Sequence, residues 1–314
     1  MTSKPPTGSG ERLAQRLAAG RFVITAEVVP PVSCDPQDLL AKALPLRGLA
    51  DAVNVTDGAG ARAHMSALAA AAILVAAGIE PILQVTCRDR NRIALQGDLI
   101  GAAALGVHNL LLLRGDDPTA GDQPEAKPVF DLDSRRLTEI ARSIRDSGAL
   151  PHGVKVAGAA PFFIGAADSP IDPPPGWQPD GLEAKVAAGA QFVQTQFCMD
   201  TAIVRRYVAR LADSGLAGRV FLLIGVNPLR SAKSAAWMRS HLFGTIIPDA
   251  MVARLERAAD AAAEGRRICI ETIEELSSIP GVAGVHVMAP GNDAAVPDVI
   301  DAARRTVTTA APVA

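Results

Sequence analysis

Short apolar runs rich in β-branched residues alternate eight times with longer Ala- and Leu-rich runs along this chain of 314 residues. The first kind of run has the length of a buried strand and the second the length of a helix. Eight strand–helix units in succession predict an α/β protein, a single (β/α)8 TIM barrel with an extra helix at 249–264 before the eighth strand. The first strand runs into Val29-Pro30-Pro31 and not into a glycine-rich turn, which argues against a dinucleotide-binding doubly wound sheet. The strands are predicted at 22–29, 51–56, 81–87, 109–113, 154–158, 192–196, 220–226 and 282–287.

The barrel is expected to occupy residues 21–306, between a flexible N-terminal extension at 1–20 and a flexible tail at 307–314. Residues 1–11 are polar, contain Pro and Gly, and lack the apolar segment of a signal peptide. The longest apolar stretch, at 67–79, is too short to span a bilayer. Together with four widely spaced cysteines, these features predict a cytoplasmic protein with reduced thiols.

Charge and composition narrow the classes of partner. The formal net charge is −2 and Lys and Arg are scattered, so neither a nucleic-acid partner nor a membrane surface is predicted. The cysteines and histidines lack the spacing of a zinc site, and no metal is expected. About half of the residues are apolar, which is enough for the large core that a barrel needs.

Polar side chains stand where several predicted strands end. Glu27 ends the first strand, Asp116 follows the fourth, and Gln196 ends the sixth. Because the C-terminal ends of barrel strands form the site in this fold, these side chains are expected to share one pocket. The strand ends offer one acid–base carboxylate, one loop aspartate and neutral hydrogen-bonding groups, without a cluster of histidines, a Schiff-base lysine or a Ser–His pair. This set favours hydride or group transfer with an organic cofactor over hydrolysis.

Each of these residues also has a purely structural interpretation. Glu27 could pair with an arginine inside the barrel, although the apolar run around it would keep its carboxyl partly out of water, which suits a proton donor. The turn that carries Asp116 could be a tight connection in which this aspartate caps a helix. Gln196 could satisfy backbone groups at a strand end, and His286 on the eighth strand could be a core imidazole. The functional interpretation is favoured because the first three residues share one rim.

Short strings follow one another along nearly the whole chain: EVVPP at 27–31, VTDG at 55–58, VTCRD at 85–89, LRGD at 113–116, KVAAGA at 185–190, QTQF at 194–197, PLRS at 228–231 and GVAGVH at 281–286. In this order they resemble the methylenetetrahydrofolate reductase family. The resemblance implies a barrel that binds FAD at its mouth. NADH or NADPH reduces this flavin, and the reduced flavin converts 5,10-methylenetetrahydrofolate to 5-methyltetrahydrofolate. It matches Glu27 to the acid that protonates the folate, Asp116 to a residue near both pterin and flavin, and Gln196 to an amide that contacts folate and nicotinamide in turn.

The resemblance also implies which residues hold FAD. Arg114 and Lys185 suit its phosphates, and Phe130 suits its flat surface. The chain departs from the family pattern at Gln84, where many members have His, and at Ala232, where some have a Phe that stacks on nicotinamide. The implied cofactor-binding positions are Thr56, Gln84, Arg114, Gly115, Asp116, Phe130 and Lys185.

Three functional hypotheses are kept. The leading one is a flavin-dependent folate reductase of one-carbon metabolism that serves methionine biosynthesis. The same site could instead oxidise 5-methyltetrahydrofolate in a demethylation pathway, or the barrel could be a non-catalytic folate-binding partner subunit, against which Glu27 argues. Ala-rich helices such as 250–263 could pack against the core or a second copy of the chain, which leaves a homo-oligomer open.

Overall fold

The computed structural model describes residues 11–307 and shows a closed barrel of eight parallel strands in chain order. The sheet closes on itself because β8 pairs with β1. The predicted (β/α)8 fold is therefore confirmed. The strands are β1 (Val23–Val28), β2 (Ala52–Val55), β3 (Pro81–Thr86), β4 (Asn109–Leu113), β5 (Phe163–Asp168), β6 (Phe192–Phe197), β7 (Phe221–Val226) and β8 (Val282–Val287).

Several helices begin at a side chain that accepts a backbone N–H. Asp133 accepts from Arg136 N at 2.7 Å, and Asp200 accepts from Ala202 N at 3.0 Å. No helix within residues 11–307 is long and apolar enough to cross a bilayer. The helices are α1 (Leu13–Ala18), α2 (Pro36–Ala43), α3 (Ala67–Ala76), α4 (Arg92–Ala104), α5 (Ser134–Ser147), α6 (Asp180–Ala188), α7 (Thr201–Asp213), α8 (Ala232–His241), α9 (Asp249–Arg257), α10 (Ala261–Ser277) and α11 (Val296–Thr306).

Helix α1 closes the N-terminal end, or base, of the barrel. Leu13 and Leu17 are buried and pack against inward-facing apolar side chains of the strands. Residues 11–20 belong to the extension predicted to be flexible, whereas the structure shows a helix at Leu13–Ala18, because two leucines four residues apart pack on a hydrophobic surface at the barrel base. The rest of the predicted extension, 1–10, and all but the first residue of the predicted tail, 308–314, lie outside the described residues.

The fifth strand lies later in the chain than predicted. Residues 154–158 are mostly exposed, and Lys155 pairs with Ala149 in an antiparallel bridge of the loop before β5. The prediction of a strand at 154–158 is wrong because a strand of a parallel barrel is covered on both faces. Val154 is 61% exposed, whereas Ile164 on β5 is completely buried.

The segment between β7 and β8 contains one more helix than predicted. The single helix predicted at 249–264 is two helices, because the backbone at Ala258 is extended. Asp260 then starts α10 by accepting the N–H of Ala263 at 2.9 Å. Helix α10 packs against β7 and β8, so α9 is the extra helix of the fold.

The interior of the barrel changes from apolar at the base to polar above it. At the base, Phe163 and Phe192 stack with ring centroids 4.8 Å apart. Above them lie four polar side chains, each at most 3% exposed, which we call the polar layer. These are Thr25, Asn54, Gln194 and His286. The polar layer forms the floor of the mouth, because the C-terminal ends of the strands lie beyond it.

Candidate active site

Glu27 lies on β1 at the mouth of the barrel, where its side chain is 18% exposed. Gln84 Nε2 on β3 donates to Glu27 Oε2 at 3.1 Å, and His286 Nε2 on β8 lies 3.7 Å from the same oxygen. Among residues 11–307, Glu27 Oε1 has no hydrogen-bond partner, and no Lys or Arg lies within ion-pair distance of the carboxyl. The alternative of an ion pair with an arginine is therefore wrong.

Below Glu27, the polar layer joins four strands by hydrogen bonds. Thr25 Oγ1 lies 2.9 Å from His286 Nδ1 and accepts the Nε2–H of Gln194 at 3.1 Å. Asn54 Nδ2 donates to Gln194 Oε1 at 2.6 Å, and Gln194 Nε2 donates to Asn54 Oδ1 at 3.1 Å. His286 is thus a core imidazole, as its structural interpretation predicts, but it also reaches the predicted acid. A connected polar network of this kind makes the floor of the mouth rigid.

Asp57, to which the sequence analysis assigned no role, ties the loop after β2 to β3. Its Oδ2 accepts Thr86 N–H at 2.8 Å and the Thr86 hydroxyl at 2.9 Å, and it pairs with Arg90. Arg90 also pairs with Asp98 at 2.7 Å. These bonds fix the loop against the strand that carries Gln84.

Arg88 is a buried arginine just after β3 that the sequence analysis did not single out. Its guanidinium donates to Asp89 at 2.8 and 2.7 Å and to Gly58 O at 3.1 Å, and the bonds to Asp89 raise the pKa of Arg88. Gly115 packs on it with φ at 88°, where a Cβ would lie 3.0 Å from the Cβ atoms of Arg88 and Thr86. The glycine therefore lets the loop after β4 approach Arg88 closely. An Arg-Asp pair directly after a strand was the available signal.

Asp116 is exposed on the loop after β4. Its Oδ2 accepts the N–H of Gly60 at 3.2 Å, which links this loop to the one after β2. The cap of the following turn is Asp117, which accepts the N–H of Thr119 at 2.9 Å, so the prediction of Asp116 as a helix cap is wrong. Its Oδ1 has no hydrogen-bond partner within the described chain and is available to a ligand.

Arg114 and Phe130 line a cavity of about 800 Å³ at the end of β4. The guanidinium carbon lies 4.4 Å from the centre of the Phe130 ring, a cation–π contact. Phe130 has φ at 41°, a strained backbone conformation for a residue with a side chain. Arg92 in the same wall pairs with Asp131 at 2.8 Å, whereas no carboxylate of residues 11–307 lies within ion-pair distance of Arg114. Arg114 is therefore available to an anionic ligand.

The two other predicted cofactor residues, Thr56 and Lys185, are engaged differently. Thr56 Oγ1 is buried and has no hydrogen-bond partner in the described chain. Lys185 Nζ donates to Ala167 O at 2.6 Å and lies 3.7 Å from Asp168. Asp168 also accepts the hydroxyl of Tyr207, whose pKa is raised by burial. Lys185 thus belongs to a cluster at the end of β5 and does not line the 800 Å³ cavity.

A bulge in β6 positions Gln196. The pairing of β6 with β7 shifts register between Gln194 and Phe197, which leaves one extra residue on β6. Gln196 Nε2 donates to Phe243 O at 3.2 Å, and its Oε1 accepts the N–H of Phe197 at 3.0 Å. Both ends of the amide are thus bonded to backbone, as the structural interpretation predicts. A ligand that uses this amide has to replace these bonds.

Glu27, Asp116 and Gln196 all lie at the C-terminal end of the barrel, but within residues 11–307 they make no hydrogen bond to one another. Glu27 and Gln196 each lie two residues beyond a member of the polar layer, Thr25 and Gln194 respectively. Those two members are hydrogen-bonded across the barrel at 3.1 Å. Because the bulge interrupts the alternation of β6 between Gln194 and Gln196, one pocket shared by the acid and the amide stays a prediction.

The fold is a (β/α)8 barrel with a candidate ligand site at the C-terminal strand ends, where Glu27 has no Lys or Arg partner in the described chain. The family described as methylenetetrahydrofolate reductase matches residues 12–304. The chain belongs to the methylenetetrahydrofolate reductase family.

One curated relative is a probable methylenetetrahydrofolate reductase (NADPH) from Caenorhabditis elegans. It is 26% identical over 239 residues, which cover 74% of this chain and 33% of the worm protein. The chain therefore spans about a third of the length of that relative.

Among solved structures, the barrel is similar to an uncharacterised protein from Clostridium thermocellum that binds two copies of 5-methyl-5,6,7,8-tetrahydrofolic acid. The TM-score is 0.63 at 12% identity, and the match covers 93% of this chain and 98% of that one. An F420-dependent secondary alcohol dehydrogenase gives a TM-score of 0.55 at 12% identity, covering 90% of this chain and 99% of the other. At these identities the likeness shows the shared fold alone.

Proposed function

We propose that this chain is a flavin-dependent oxidoreductase that interconverts 5,10-methylenetetrahydrofolate and 5-methyltetrahydrofolate with NADH or NADPH. The observation that carries the proposal is Glu27, a carboxyl group without a cationic partner in residues 11–307, at the mouth of a barrel of this family. The worm relative named for this reaction supports the substrate class, and a barrel of the same fold binds 5-methyltetrahydrofolic acid.

Glu27 is the proton donor in this proposal. The five-membered ring of the substrate opens to a reactive iminium when its departing nitrogen receives a proton, which is general acid catalysis. Glu27 Oε2 is occupied by Gln84 and faces His286, whereas Oε1 has no hydrogen-bond partner in the described chain. Oε1 is therefore the atom that presents the proton to the substrate. In the reverse direction it accepts the proton back.

The residues near the end of β4 fit a flavin dinucleotide. Arg114 lacks a carboxylate partner in the described chain and can pair with a phosphate, while Phe130 offers a flat apolar surface. The buried Thr56 Oγ1, which has no partner within residues 11–307, would be satisfied by a polar group of the cofactor. When bound, FAD supplies the hydride carrier between NAD(P)H and the folate. A contact of Lys185 with the cofactor stays a prediction.

Asp116 and Gln196 are assigned to the folate ring. A pterin presents neighbouring N–H donors and a carbonyl acceptor, which match a carboxylate and an amide. Asp116 Oδ1 has no hydrogen-bond partner in the described chain and can accept such a donor. The Gln196 amide can exchange its bonds to the backbone of Phe197 and Phe243 for bonds to a ring.

Reconstitution with FAD tests the proposal. We expect the purified protein to retain flavin absorbance and to lose it, without oxygen, on addition of NADH, NADPH or 5-methyltetrahydrofolate. Arg114→Ala should weaken FAD binding about tenfold or more, because a hydrogen bond between charged groups contributes roughly 1.5–3 kcal/mol. Arg205→Ala, on the outer side of α7 where Arg205 lies 3.5 Å from Glu275, should bind FAD like the wild type.

Two results would contradict parts of the proposal. A protein that neither retains nor reduces flavin, but oxidises NAD(P)H when folate is added, would keep the reaction and remove FAD. Absence of folate-dependent turnover in both directions would remove the reaction itself and favour a non-catalytic folate-binding subunit. Where turnover occurs, rates measured in both directions with NADH and NADPH decide between reduction and a demethylation pathway.

A further inference from the structure

The buried His286 is the one member of the polar layer that reaches Glu27. It is 2% exposed, its Nδ1 faces the polar layer, and its Nε2 faces Glu27 Oε2 at 3.7 Å. We propose that His286 is a positioning residue: as the neutral ring with its proton on Nε2, it holds and stabilises the Glu27 carboxylate once that group has given up its proton. This inference rests on the proposed function, in which Glu27 is the acid.

The hydrogen bonds around Nδ1 assign the tautomer. The Thr25 hydroxyl has a single proton, and His286 Nδ1, at 2.9 Å, is a closer acceptor for it than Val285 O, at 3.3 Å. Thr25 Oγ1 itself accepts the Nε2–H of Gln194, whose nitrogen also lies 3.4 Å from Nδ1. The shorter of the two distances favours Nδ1 as the acceptor of the Thr25 proton, which places the proton of the neutral ring on Nε2.

Among residues 11–307, Glu27 is the one charged side chain in contact with His286. The groups that face the ring from β1 and β6, Thr25 and Gln194, are neutral, and the β7 residue paired with His286 is Gly225, which has no side chain. The Glu27 carboxyl thus accepts one hydrogen bond, from Gln84, and faces His286 Nε2 at 3.7 Å, with no Lys or Arg of residues 11–307 within ion-pair distance.

The proton balance follows from this arrangement. The O–H bond of Glu27 breaks and an N–H bond forms on the departing nitrogen of the folate, which leaves a negative charge on the carboxyl. Neither His286 nor Gln84 loses a proton: Gln84 Nε2 keeps its hydrogen bond to Oε2 at 3.1 Å, and the Nε2–H of His286 keeps facing that oxygen at 3.7 Å. The next proton reaches Glu27 from solvent, to which the side chain is 18% exposed. Both N–H groups face the oxygen on which the negative charge develops.

The pH dependence of the folate-dependent rate tests this role. Replacing the ring by His286→Asn should move the alkaline fall of the rate upward by about one pH unit, because the carboxylate loses the N–H group that faces it. Thr25→Val, which keeps the shape but removes the hydroxyl that orders Nδ1, should move it in the same direction by less. His108→Asn, a histidine of the cavity at the base of the barrel, should leave the profile unchanged. Variants that are folded, as judged by thermal unfolding, but keep the wild-type profile would overturn the inference, because a merely structural role lowers stability without moving the profile.

A second measurement needs neither flavin nor folate. Long-range proton–nitrogen NMR spectra of histidine-labelled protein distinguish the two neutral tautomers. We expect the slowest-exchanging histidine to carry its proton on Nε2 and its Nε2 signal to shift in Glu27→Gln. A proton on Nδ1 would overturn the inference even if the enzyme turns over folate. If folate turnover is absent but the Nε2 signal of His286 shifts in Glu27→Gln, the proposed reaction is wrong, whereas the contact between His286 and Glu27 is confirmed.

Discussion

Two carboxyl groups of this barrel, Asp51 at the base and Glu27 at the mouth, have different kinds of partner. At the base, the buried Asp51 accepts the N–H of Ile24 at 2.7 Å and pairs with Arg16 and with Arg304, the latter at 2.8 Å. At the mouth, Glu27 accepts a hydrogen bond from Gln84, faces His286 at 3.7 Å, and has no Lys or Arg within ion-pair distance in the described chain. Charges that are neutralised in pairs serve stability, whereas a carboxyl left without a cation can change its protonation during a reaction. The comparison predicts that substitutions at the mouth affect activity and those at the base affect stability.

The largest expected effect is at the mouth. Glu27→Gln keeps the size of the side chain but cannot donate an acidic proton, so folate-dependent turnover should fall by about 10²–10⁴-fold. The free energy of unfolding should change little, because the acid has no ion pair with Lys or Arg within residues 11–307 to lose. Steady-state rates and chemical denaturation measure the two quantities. A variant with wild-type folate turnover would rule out the acid role.

The corresponding substitution at the base is Leu13→Ala. Leu13 is completely buried between α1 and the strands, so its truncation should lower the free energy of unfolding by about 2–5 kcal/mol. The remaining folded protein should keep the KM for folate and most of kcat. Ala14→Ser, on the less buried side of the same helix, is the matched control. Loss of activity without loss of stability in Leu13→Ala would contradict the prediction that substitutions at the base affect stability and not activity.

Gly115→Ala is expected to lower both the stability of the protein and its affinity for FAD. The backbone at Gly115 has φ at 88°, and the added methyl group would press on Arg88 and Thr86, which should cost about 1–3 kcal/mol of stability. The loop that carries Arg114 and Asp116 should then shift and bind FAD less tightly. Gly153→Ala, also at positive φ but with open space around it, separates backbone strain from crowding. Equal flavin binding in both variants would contradict the role of close packing at Gly115.

The smallest expected effect is the pH dependence caused by Glu80 at the base. Burial raises the pKa of Glu80, whose carboxyl accepts the N–H of Leu13 at 3.2 Å and the Nδ2–H of Asn109 at 2.8 Å. A carboxyl with a raised pKa binds its proton more tightly in the folded state, so its contribution to stability falls as the pH rises from the unfolded pKa through the folded one. Glu80→Gln should therefore gain stability relative to the wild type between acidic and neutral pH. Thermal unfolding at both pH values measures this difference, and an unchanged difference would contradict it.

The sequence predicted most of the barrel because its strands are short apolar runs of nearly one length. β4 was predicted at 109–113, where it is observed. The fifth strand was misplaced because Val154 and Val156 have strand propensity, while burial, which decides, was not readable from them. The apolar positions of α1 could not be recognised as a base-closing surface, since the partner side chains come from strands far along the chain.

For the site, the residue types and strand ends in the sequence identified Glu27, Asp116 and Gln196 as candidates. The sequence could not show that Gln84 and His286 would meet the same carboxyl oxygen, or that Arg88 would be buried beneath two loops. It also could not predict the break at Ala258, since local helix propensity continues across it.

The sequence by itself determined the eight-fold alternation and placed a carboxyl group at the end of the first strand, because both follow from local periodicity and chain order. Only the tertiary structure decided which groups surround that carboxyl. Closing the barrel brings β1 next to β8, with β3 two strands away from β1, so that Glu27 meets Gln84 and His286 and no arginine of the described chain. Contacts between strands more than 250 residues apart, such as that of Thr25 with His286, depend on this closure and cannot be read from either strand alone.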